Sequence, residues 1–534
     1  MRKVFNVTAD CKPTEHYMVD LERRLLKIKV LVDEGKYFTI NRARQYGKTT
    51  TLRALARFLQ EEYYVVLIDF QMFGSAKFKD ENTFALSFAG SFLRILGRNI
   101  KDGDNEVKSS MAQMKAAVDD RNESFELKEL FEGLGDICGA AGKRIVLMID
   151  EVDSASANQV FLDFLAQLRA YYINRDEQAT FQSVILAGVY DIRNLRKKLR
   201  TGESHKVNSP WNIAADFNID MSFSREDIAG MLSEYERDHH TGMDIGKIAG
   251  LLYDYTEGYP FLVSRLCKFM DEEVGEKTGF PADGRAWTKE GFDEAVRYLL
   301  SEKNTLFESL IGKLINYPEL NDMLKALLFA GKSIVYNADN AAIDNAVMFG
   351  FIKNRQGSAV ISNRIFEMRL YNYYLSDTKM QGQEMYKASL QDRNQFVADG
   401  ELDMRKILER FVIHFNDLYG GGDETFLEEE GRKYFLLYLR PIINGTGNYY
   451  IESRTRGLGR TDVIVDYLGR QYIIELKIWR GGEYNSRGER QLVKYLDDYH
   501  QDKGYMVSFN FNRKKQPGVY ETVIDGKKLI EAVV

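Results

Sequence analysis

A seven-residue segment near the start of the chain has the residue types that bind phosphate groups. It consists of Arg44, Gln45, Tyr46, Gly47, Lys48, Thr49 and Thr50. The phosphate-loop pattern Gly-x-x-x-x-Gly-Lys-[Ser/Thr] surrounds phosphates with backbone N–H groups, a lysine ammonium and a helix N-terminus. Gly47, Lys48 and Thr49 fit this pattern, but Arg42 stands where the first glycine belongs. The segment alone indicates either a nucleotide-binding loop or an ordinary Gly-Lys-Thr turn.

An apolar run about a hundred residues later ends in acidic side chains. Residues 144–149 predict a buried strand, and Asp150, Glu151 and Asp153 follow it. At the carboxyl end of a parallel strand, we expect Asp150 to hold Mg²⁺ together with Thr49, and Glu151 to polarise an attacking water. The alternative is a core strand that surfaces into an acidic turn. Because loop and strand have the order and distance of an ATPase, we expect this chain to bind ATP and Mg²⁺ and to hydrolyse ATP.

Another apolar strand, at residues 183–190, is followed by Asp191, Arg193 and Asn194. Arg193 or Asn194 would report on the γ-phosphate there, although a helix cap at Asp191 explains the same residues and is slightly favoured. An arginine finger, which one subunit supplies to the ATP site of its neighbour, is conceivable. The candidates for it are Arg193, Arg196 and Arg200. Plain surface charge is the more common role for such residues.

Three residues near the end of the chain have the types that cleave phosphodiesters with a metal ion, namely Asp462, Glu475 and Lys477. Such chemistry needs two or three carboxylates to hold Mg²⁺ and a lysine to stabilise charge or orient water. Alternation along a strand puts Glu475 and Lys477 on the same face, with Asp462 at the start of the neighbouring hairpin strand. The alternative is a structural hairpin in which Glu475 and Lys477 form an ion pair of small energetic value.

The elements that must position the phosphate-binding residues follow the order strand, loop, helix, strand over residues 37–70. Strands that alternate with helices imply a parallel sheet covered on both faces. Residues 224–300 have the spacing of amphipathic helices, and residues 322–374 fit two helices and a small hairpin. Residues 375–400 are polar and indicate a linker before the segment that contains Asp462.

The composition predicts a large protein with several domains. A chain of 534 residues exceeds one ordinary core and fits roughly three or four domains. Its 44% hydrophobic and 28% charged residues are typical of soluble globular proteins, and no run reaches the ~18 apolar residues of a membrane span. We therefore expect no membrane partner. Three widely spaced cysteines and no apolar leader make the cytoplasm the simplest location.

The charge distribution is compatible with a local nucleic-acid surface. The net charge of −6 argues against avid nonspecific coating of nucleic acid. Residues 454–494 nevertheless contain nine basic and five acidic residues. Such a segment suits a nucleic-acid partner, although ordinary mixed surface charge explains it as well.

Four motifs together resemble the bacterial AAA-like, STAND-related ATPases: Asn41 to Thr50, Met148 to Asp153, Ser209 to Ile213, and Gly258 to Val263. The resemblance spans about residues 15–375 and implies that an arginine at position 42 is tolerated. It also implies an ASCE-type core, followed by a helical lid and a winged-helix element. Basic side chains are few on the second helix of that element. We therefore expect it to pack or relay within the protein rather than to read DNA.

The segment from about 425 to 515 resembles the PD-(D/E)xK nuclease superfamily. The resemblance implies a site built from Asp462, Glu475, Lys477, Glu430, Gln491 and Tyr495. In it, Asp462, Glu475 and Glu430 are expected to bind the metal, and Lys477 to lie beside the scissile phosphate. Gln491 and Tyr495, on the following helix, are expected to assist.

These patterns predict an α/β multidomain protein with a parallel-sheet P-loop ATPase core (1–222), a helical lid (223–315), a winged-helix-like element (316–375), a helical linker (376–424) and a restriction-endonuclease-like α/β domain (425–534). The predicted function is an ATP-binding and ATP-hydrolysing module coupled to a Mg²⁺-dependent nuclease that acts on nucleic acid, DNA in preference to RNA. Two alternatives stay open, a non-cleaving ATP-dependent sensor and a mobile-element accessory ATPase that binds nucleic acid or protein. A homo-oligomer is compatible with each of them.

Overall fold

The computed structural model divides the chain into two compact units. One comprises Met1–Tyr235 and Tyr259–Ser264, and the other comprises Glu236–Gly258 and Arg265–Val534. The structure describes residues 2–100, 104–156, 158–190, 211–276, 285–329, 334–377, 383–392, 395–398, 401–419, 428–443, 447–451, 462–467, 470–479, 482–499, 501–510 and 515–534. The candidate residues Asp191, Arg193, Asn194, Arg196 and Arg200 lie outside these ranges.

Four parallel strands form the sheet of the first unit. They are β1 (Phe38–Asn41), β2 (Tyr64–Asp69), β3 (Ile145–Asp150) and β4 (Ser183–Gly188), in the order β1-β4-β3-β2. Every residue of β3 and β4 is buried, which explains why these strands are almost continuous apolar runs. The parallel sheet that the sequence predicted is confirmed. β4 lies between the strand before the phosphate loop and the strand that ends at Asp150.

The helices of the first unit bury aromatic side chains in its core. They are Glu22–Asp33, Lys48–Leu59, Glu81–Asn99, Asn105–Asp119, Leu127–Ala140 and Gln159–Ile173, and the helix Arg225–His239 begins in this unit and ends in the second. Phe84, Phe88 and Phe92 recur every four residues along one helix, so they form a single apolar stripe. The ring centroids of Phe84 and Phe88 lie 5.3 and 4.9 Å from that of Phe164. Each fully buried ring stabilises this core by about 1.5–3 kcal/mol.

Helices dominate the first half of the second unit. They are Ile245–Thr256, Lys289–Ser301, Thr305–Asn316, Pro318–Phe329, Ala341–Met348, Arg364–Leu375 and Glu384–Asp392. The helix Pro260–Lys268 begins in the residues of the first unit and continues into those of the second. A small antiparallel sheet contains β5 (Ile334–Val335), β6 (Ile352–Arg355) and β7 (Ser358–Ile361), in the order β5-β7-β6. The two helices and the hairpin expected over residues 322–374 are therefore present.

A six-stranded mixed sheet forms the last part of the second unit. Its strands are β10 (Gly447–Ile451), β11 (Asp462–Tyr467), β12 (Arg470–Ile478), β13 (Lys503–Phe509), β14 (Gly518–Ile524) and β15 (Lys527–Val533). Their order is β10-β11-β12-β13-β15-β14, with β12, β13 and β15 parallel to one another. Before it lies a two-stranded ladder, β8 (Val397–Ala398) and β9 (Glu401–Leu402). The helices of this part are Met404–Tyr419, Glu428–Ile443 and Gly482–Asp498.

The helix Gly482–Asp498 connects β12 to the parallel strand β13, as a parallel connection requires. Within the residues that the structure describes, no helix is long and apolar enough to cross a membrane. The division of the chain into five domains remains a prediction.

Candidate functional site

The phosphate loop joins β1 to the helix Lys48–Leu59. Gln45 and Gly47 have φ angles of +55° and +80°, in the left-handed region that disfavours residues with a Cβ atom. Gly47 therefore suits the last position before the helix. Arg42 is not among the residues with positive φ. A glycine is accordingly not required at position 42, which explains how this loop forms without the first glycine of the usual pattern.

Arg42 forms hydrogen bonds with residues outside the phosphate loop. Its backbone N–H donates to the carbonyl oxygen of Gly188, the last residue of β4, at 3.2 Å. Its guanidinium donates to the carbonyl oxygen of Ile219 at 2.8 Å and lies 5.4 Å from the ring centroid of Phe217. The side chain thus ties the loop to the segment that follows β4.

The ammonium of Lys48 lies inside the loop, and the residue is only 7% exposed. It donates hydrogen bonds to the carbonyl oxygens of Arg42 and Ala43, both at 3.0 Å. Burial lowers the pKa of Lys48, and the acidic residues that follow β3 oppose this shift. Hydrogen bonds between charged partners are stronger than those to neutral carbonyls. Lys48 is therefore placed to exchange these carbonyl oxygens for phosphate oxygens.

Thr49 and Asp150 meet at the carboxyl end of β3. The Thr49 hydroxyl donates to Oδ2 of Asp150 at 2.7 Å, and the backbone N–H of Glu151 donates to Oδ1 at 2.9 Å. Burial raises the pKa of Asp150, although both hydrogen bonds lower it. A P-loop hydroxyl and an aspartate are the protein ligands by which P-loop enzymes hold Mg²⁺. The donor set therefore fits a magnesium ion.

A cluster of several acidic ligands is not needed at this position. Within the described parts of the chain, no group of three or more His, Cys, Asp or Glu is arranged to hold a metal ion. Mg²⁺ commonly keeps several waters and binds through one or two protein ligands together with substrate phosphates. One hydroxyl and one carboxylate are thus sufficient for the metal that the phosphate loop implies.

Glu151 follows Asp150 in a left-handed backbone conformation, with φ of +53°. Burial raises its pKa, while the nearby Lys48 ammonium lowers it. A half-buried carboxylate beside the metal ligand can orient a water molecule or accept its proton. The role of Glu151 in orienting the attacking water stays a prediction.

Asp153 has a structural role that the sequence did not reveal. Its carboxylate accepts hydrogen bonds from the backbone N–H groups of Val189 and Tyr190, at 2.6 and 2.9 Å. It thereby joins the residues after β3 to the end of β4. A Cβ atom at Gly188 would lie 2.8 Å from Oδ1 of Asp153, so this approach requires glycine. One signal in the sequence could have indicated this contact. An acid, Asp153, follows one buried strand, and a glycine, Gly188, ends another.

Tyr259 belongs to the motif Gly258 to Val263, but the sequence gave it no role at the site. Its hydroxyl donates to the carbonyl oxygen of Arg44 in the phosphate loop. Its ring packs edge-on against Tyr46, with 4.7 Å between centroids and 74° between planes. Burial raises the pKa of Tyr259 well above its ordinary value, so the hydroxyl is protonated and acts as a donor. The position of the loop backbone is thus coupled to that of Tyr259.

The N-terminal segment lies along the start of the helix Lys48–Leu59. The backbone N–H of Cys11 donates to the hydroxyl of Thr50 at 3.1 Å, and Arg53 pairs with Asp10 at 2.6 Å. Thr50, predicted to bind the cofactor, therefore holds the N-terminal segment with its hydroxyl. Its backbone N–H remains part of the first turn of the helix.

The second candidate centre lies on β11 and β12. Asp462 pairs with Glu475 in the antiparallel register, and the side chains of Glu475 and Lys477 are 5% and 3% exposed. The side chain of Asp462 lies outside what the structure describes. Burial lowers the pKa of Lys477, and carboxylates on neighbouring elements, Glu531 foremost, oppose this shift. The strand pairing therefore brings the three predicted positions together.

Three further residues lie around Lys477, namely Ser508, Glu531 and Gly488. In the parallel register, Lys477 pairs with Ser508 of β13, whose hydroxyl donates to Oε1 of Glu531 on β15 at 2.5 Å. A Cβ atom at Gly488 would lie 2.6 Å from Nζ of Lys477. Sequence reasoning missed Glu531 because β15 is 50 residues further along the chain and its register is set by the sheet.

The helices on either side of this sheet hold the remaining predicted residues. On the helix Gly482–Asp498, the Gln491 side-chain amide donates to the Tyr495 hydroxyl at 2.6 Å. Glu430 is exposed in the first turn of the helix Glu428–Ile443. The next residue, Gly431, packs so tightly that a Cβ atom would lie 2.6 Å from the ring of Phe509 at the end of β13. Glu430 therefore lies at the end of the sheet that also contains Lys477.

Comparison with known families gives one match. Residues 14–278 match the model of the AAA-like domain. The matched range contains the phosphate loop, Asp150 and Tyr259. The search of curated proteins gave no match. The family match and the parallel sheet with Lys48, Thr49 and Asp150 at one edge support a P-loop ATPase module.

Several solved structures are distantly similar. The Walker-type ATPase of Pyrococcus abyssi is 16% identical, with 68% of this chain and 99% of that chain covered and a TM-score of 0.45. Cdc6p from Pyrobaculum aerophilum is 12% identical, with coverages of 69% and 97% and a TM-score of 0.32. The Aeropyrum pernix Orc1 protein, in complex with DNA, is 12% identical, with coverages of 66% and 93% and a TM-score of 0.30. At these scores, functional inference rests on the family match and on the geometry of the site.

Proposed function

We propose that this protein is an ATP-driven regulator in which the nucleotide state of a P-loop ATPase module gates a Mg²⁺-dependent nuclease-like domain. The observation that carries the ATPase part is the 2.7 Å bond between Thr49 and Asp150 beside the buried ammonium of Lys48. The nuclease part is supported by the register of β11 and β12, which sets Asp462 opposite Glu475, with Lys477 two residues further along β12. DNA is the preferred substrate class, ahead of RNA.

In the ATPase module, each residue has a defined task. The backbone N–H groups of the loop from Arg44 to Thr50 surround the phosphates, and Lys48 holds the β- and γ-phosphates. Thr49 and Asp150 hold the metal ion, and Glu151 orients the attacking water and accepts its proton. Mg²⁺, when bound with ATP, neutralises charge on the phosphate oxygens. Burial raises the pKa of Glu151, which makes its carboxylate a stronger proton acceptor.

In the nuclease-like domain, carboxylates and one lysine divide the work. Asp462 and Glu475 hold the metal, and Glu430 completes its ligand set from the adjacent helix. Lys477 lies beside the scissile phosphate and stabilises the negative charge that develops there. Gln491 and Tyr495, which are hydrogen-bonded to each other, form the wall on the following helix and assist the site.

The five predicted domains give this regulator its organisation, with a helical lid and a winged-helix-like element between ATPase and nuclease. The helix Ala341–Met348 contains no lysine or arginine. A helix that reads DNA needs basic side chains for phosphate contacts. The winged-helix-like element is therefore assigned to packing and relay. We also propose a bacterial origin, a cytoplasmic location and self-association as a homo-oligomer.

A non-cleaving sensor is the second candidate function. It is favoured by the deep burial of Glu475 and Lys477, which are 5% and 3% exposed. A phosphodiester reaches such a pair only if neighbouring side chains move. In the sensor, ATP sets the conformation of the C-terminal domain, which binds nucleic acid or protein without cutting it.

Metal-dependent cleavage distinguishes the two functions. Supercoiled plasmid, linear DNA and RNA are incubated with Mg²⁺ or Mn²⁺, with and without ATP, and ATP hydrolysis is followed in parallel. Lys477→Ala should reduce cleavage by about 100-fold or more, because it removes the charge beside the phosphate. Lys48→Ala should abolish ATP hydrolysis and remove the effect of ATP on cleavage.

Lys406→Ala provides the control for loss of a lysine, because Lys406 is exposed on the helix Met404–Tyr419. It should leave both activities unchanged. ATP hydrolysis without metal-dependent cutting of any of these substrates would support the sensor. Cleavage that survives in Lys477→Ala would contradict the assigned nuclease centre.

A further inference from the structure

A buried tyrosine of the lid holds the hairpin strand that begins at Asp462. Tyr255, in the last turn of the helix Ile245–Thr256, is 3% exposed, and its hydroxyl donates to Oδ2 of Asp466 on β11. Asp466 lies four residues after Asp462 on the same strand. Because side chains alternate along a strand, both residues belong to the same face of β11. The position of Asp462 is therefore tied to that of Tyr255.

The carboxylate of Asp466 has charged groups around it from several elements of the second unit. Burial raises its pKa, and the bond from Tyr255 together with the charges of Lys289 and Arg364 lowers it. Arg364 also lies over the ring of Tyr255, 5.4 Å from its centroid. Asp293, paired with Lys289 at 2.8 Å, contributes a second negative charge nearby. A buried carboxylate with such partners has few alternative positions, so β11 is held in one register against the lid.

Residues of the second unit hold the start of the turn that follows Tyr255. Glu257 and Gly258 have φ angles of +49° and +71°, and the Gly258 N–H donates to the Thr256 hydroxyl at 3.2 Å. The Glu257 carboxylate is bound by Lys353 at 3.0 Å and by Arg355 at 3.2 Å, both on β6. Glu257 is thus held by β6, and two consecutive left-handed residues end the helix Ile245–Thr256.

The far end of the turn reaches the phosphate loop. Tyr259, the first residue after Gly258, donates to the carbonyl oxygen of Arg44 and packs against Tyr46. Lys48 meanwhile binds the carbonyl oxygens of Arg42 and Ala43 at 3.0 Å. Phosphates that bind the lysine would take the hydrogen-bond donor away from these two carbonyl groups. Tyr259 is bonded to the next carbonyl group along the chain, that of Arg44.

We propose that the turn from Tyr255 to Tyr259 transmits the nucleotide state of the phosphate loop to the strand that carries Asp462. Tyr259 follows the loop, the chain from Glu257 to Tyr259 carries its displacement, and Tyr255 passes it to Asp466. This inference rests on the proposed function only in requiring that the loop binds ATP. It does not require that the C-terminal domain cleaves nucleic acid.

Hydrogen exchange of the full chain, followed by mass spectrometry of peptides, tests the proposal. Adding Mg²⁺ and ATP to the wild type should change the exchange rate of peptides from β11 by about threefold or more. In Tyr255→Phe, the phosphate-loop peptides should still respond to ATP, but the β11 peptides should not. Tyr259→Phe, at the other end of the turn, should lose the same β11 response. Tyr373→Phe, at a 37% exposed tyrosine, is the control and should behave like the wild type.

Each outcome has a definite meaning. A β11 response that survives in Tyr255→Phe would overturn the proposal, as would a wild type that binds ATP without a β11 response. Absence of any ATP response in the phosphate-loop peptides would overturn both this proposal and the ATPase part of the function. The protein could show a β11 response that depends on Tyr255 and yet cut no nucleic acid. That result would support this proposal and contradict the proposed nuclease activity. Asp466→Asn keeps an acceptor oxygen for the Tyr255 hydroxyl, so its β11 peptides should still respond to ATP. A retained response would also show that a variant at this contact folds.

Discussion

Gly488 is a glycine because of its neighbour and not because of its own backbone. It lies within the helix Gly482–Asp498, and a Cβ atom there would lie 2.6 Å from Nζ and 3.2 Å from Cδ of Lys477. Since Lys477 is 3% exposed, its side chain has little room to move away. We expect Gly488→Ala to destabilise the protein by about 1–3 kcal/mol in spite of the better helix propensity of alanine. Chemical denaturation measures this loss, and cleavage or metal binding should fall with it because Lys477 is displaced.

Gly312→Ala is the matched control for this prediction. Gly312 lies within the helix Thr305–Asn316, and nothing lies within 4 Å of the position its Cβ would take. There the same substitution should raise stability by up to about 1 kcal/mol, because alanine is the better helix former. Equal effects of the two substitutions would show that Lys477 does not pack against Gly488.

Single residues were predictable where a local pattern carries the chemistry. Gly47, Lys48, Thr49 and Asp150 could be found because neighbouring residue types and strand ends define them, and the structure brings Thr49 within 2.7 Å of Asp150. Tyr259 could not be assigned a partner, since its bond to Arg44 spans 215 positions of sequence. Contacts of this kind depend on how helices pack, and no short motif encodes them.

The helix Lys289–Ser301 contains a partly buried acid, Asp293, whose ionisation lowers the free energy of unfolding. Burial raises the pKa of Asp293 to about 6, with Lys289 opposing the shift and the charge of Asp466 adding to it. The folded state therefore binds this proton more tightly than the unfolded chain, in which an aspartate has a pKa of about 3.9. The stability that the neutral carboxyl contributes is present below about pH 4 and is lost as the pH rises through about 6.

Asp293→Asn should escape this loss because the amide does not ionise. Relative to the wild type, its free energy of unfolding should rise by on the order of 1–3 kcal/mol between about pH 4 and about pH 7. Thermal unfolding at several pH values measures the difference. Asp322→Asn is the control, since the Asp322 side chain is 77% exposed. A difference between Asp293→Asn and the wild type that does not change with pH would contradict the elevated pKa.

Elements were more predictable than their arrangement. The runs that became β3 and β4 are apolar throughout, so a parallel sheet followed from composition and from alternation with helices. The register of β12 with β13 was not accessible, because a helix of 17 residues separates the two strands and the pairing depends on packing. For that reason the sequence indicated Glu475 and Lys477 but gave no sign that Glu531 lies close to them.

At the scale of the whole molecule, charge bears on the nucleic-acid contact that we propose. The chain has a net charge of −6, while residues 454–494 contain nine basic and five acidic residues. Under the proposed function, binding would depend on the local excess of four positive charges in this segment of a chain that is negative overall. The contact is expected to be short, and its affinity to depend on salt less than that of a protein which coats DNA.

The salt dependence of DNA binding can be predicted from the four excess positive charges. Each neutralised phosphate of duplex DNA contributes about −0.9 to the slope of log K against log salt, so four give a slope of about −4. Fluorescence anisotropy with a labelled duplex, at salt concentrations from about 50 to about 200 mM, measures the slope. Charge reversal at Arg490, which is exposed on the helix Gly482–Asp498, should flatten it by about 1–2. A wild-type slope steeper than about −8 would require a second basic surface, and nucleic acid would then bind well beyond the segment that surrounds Lys477.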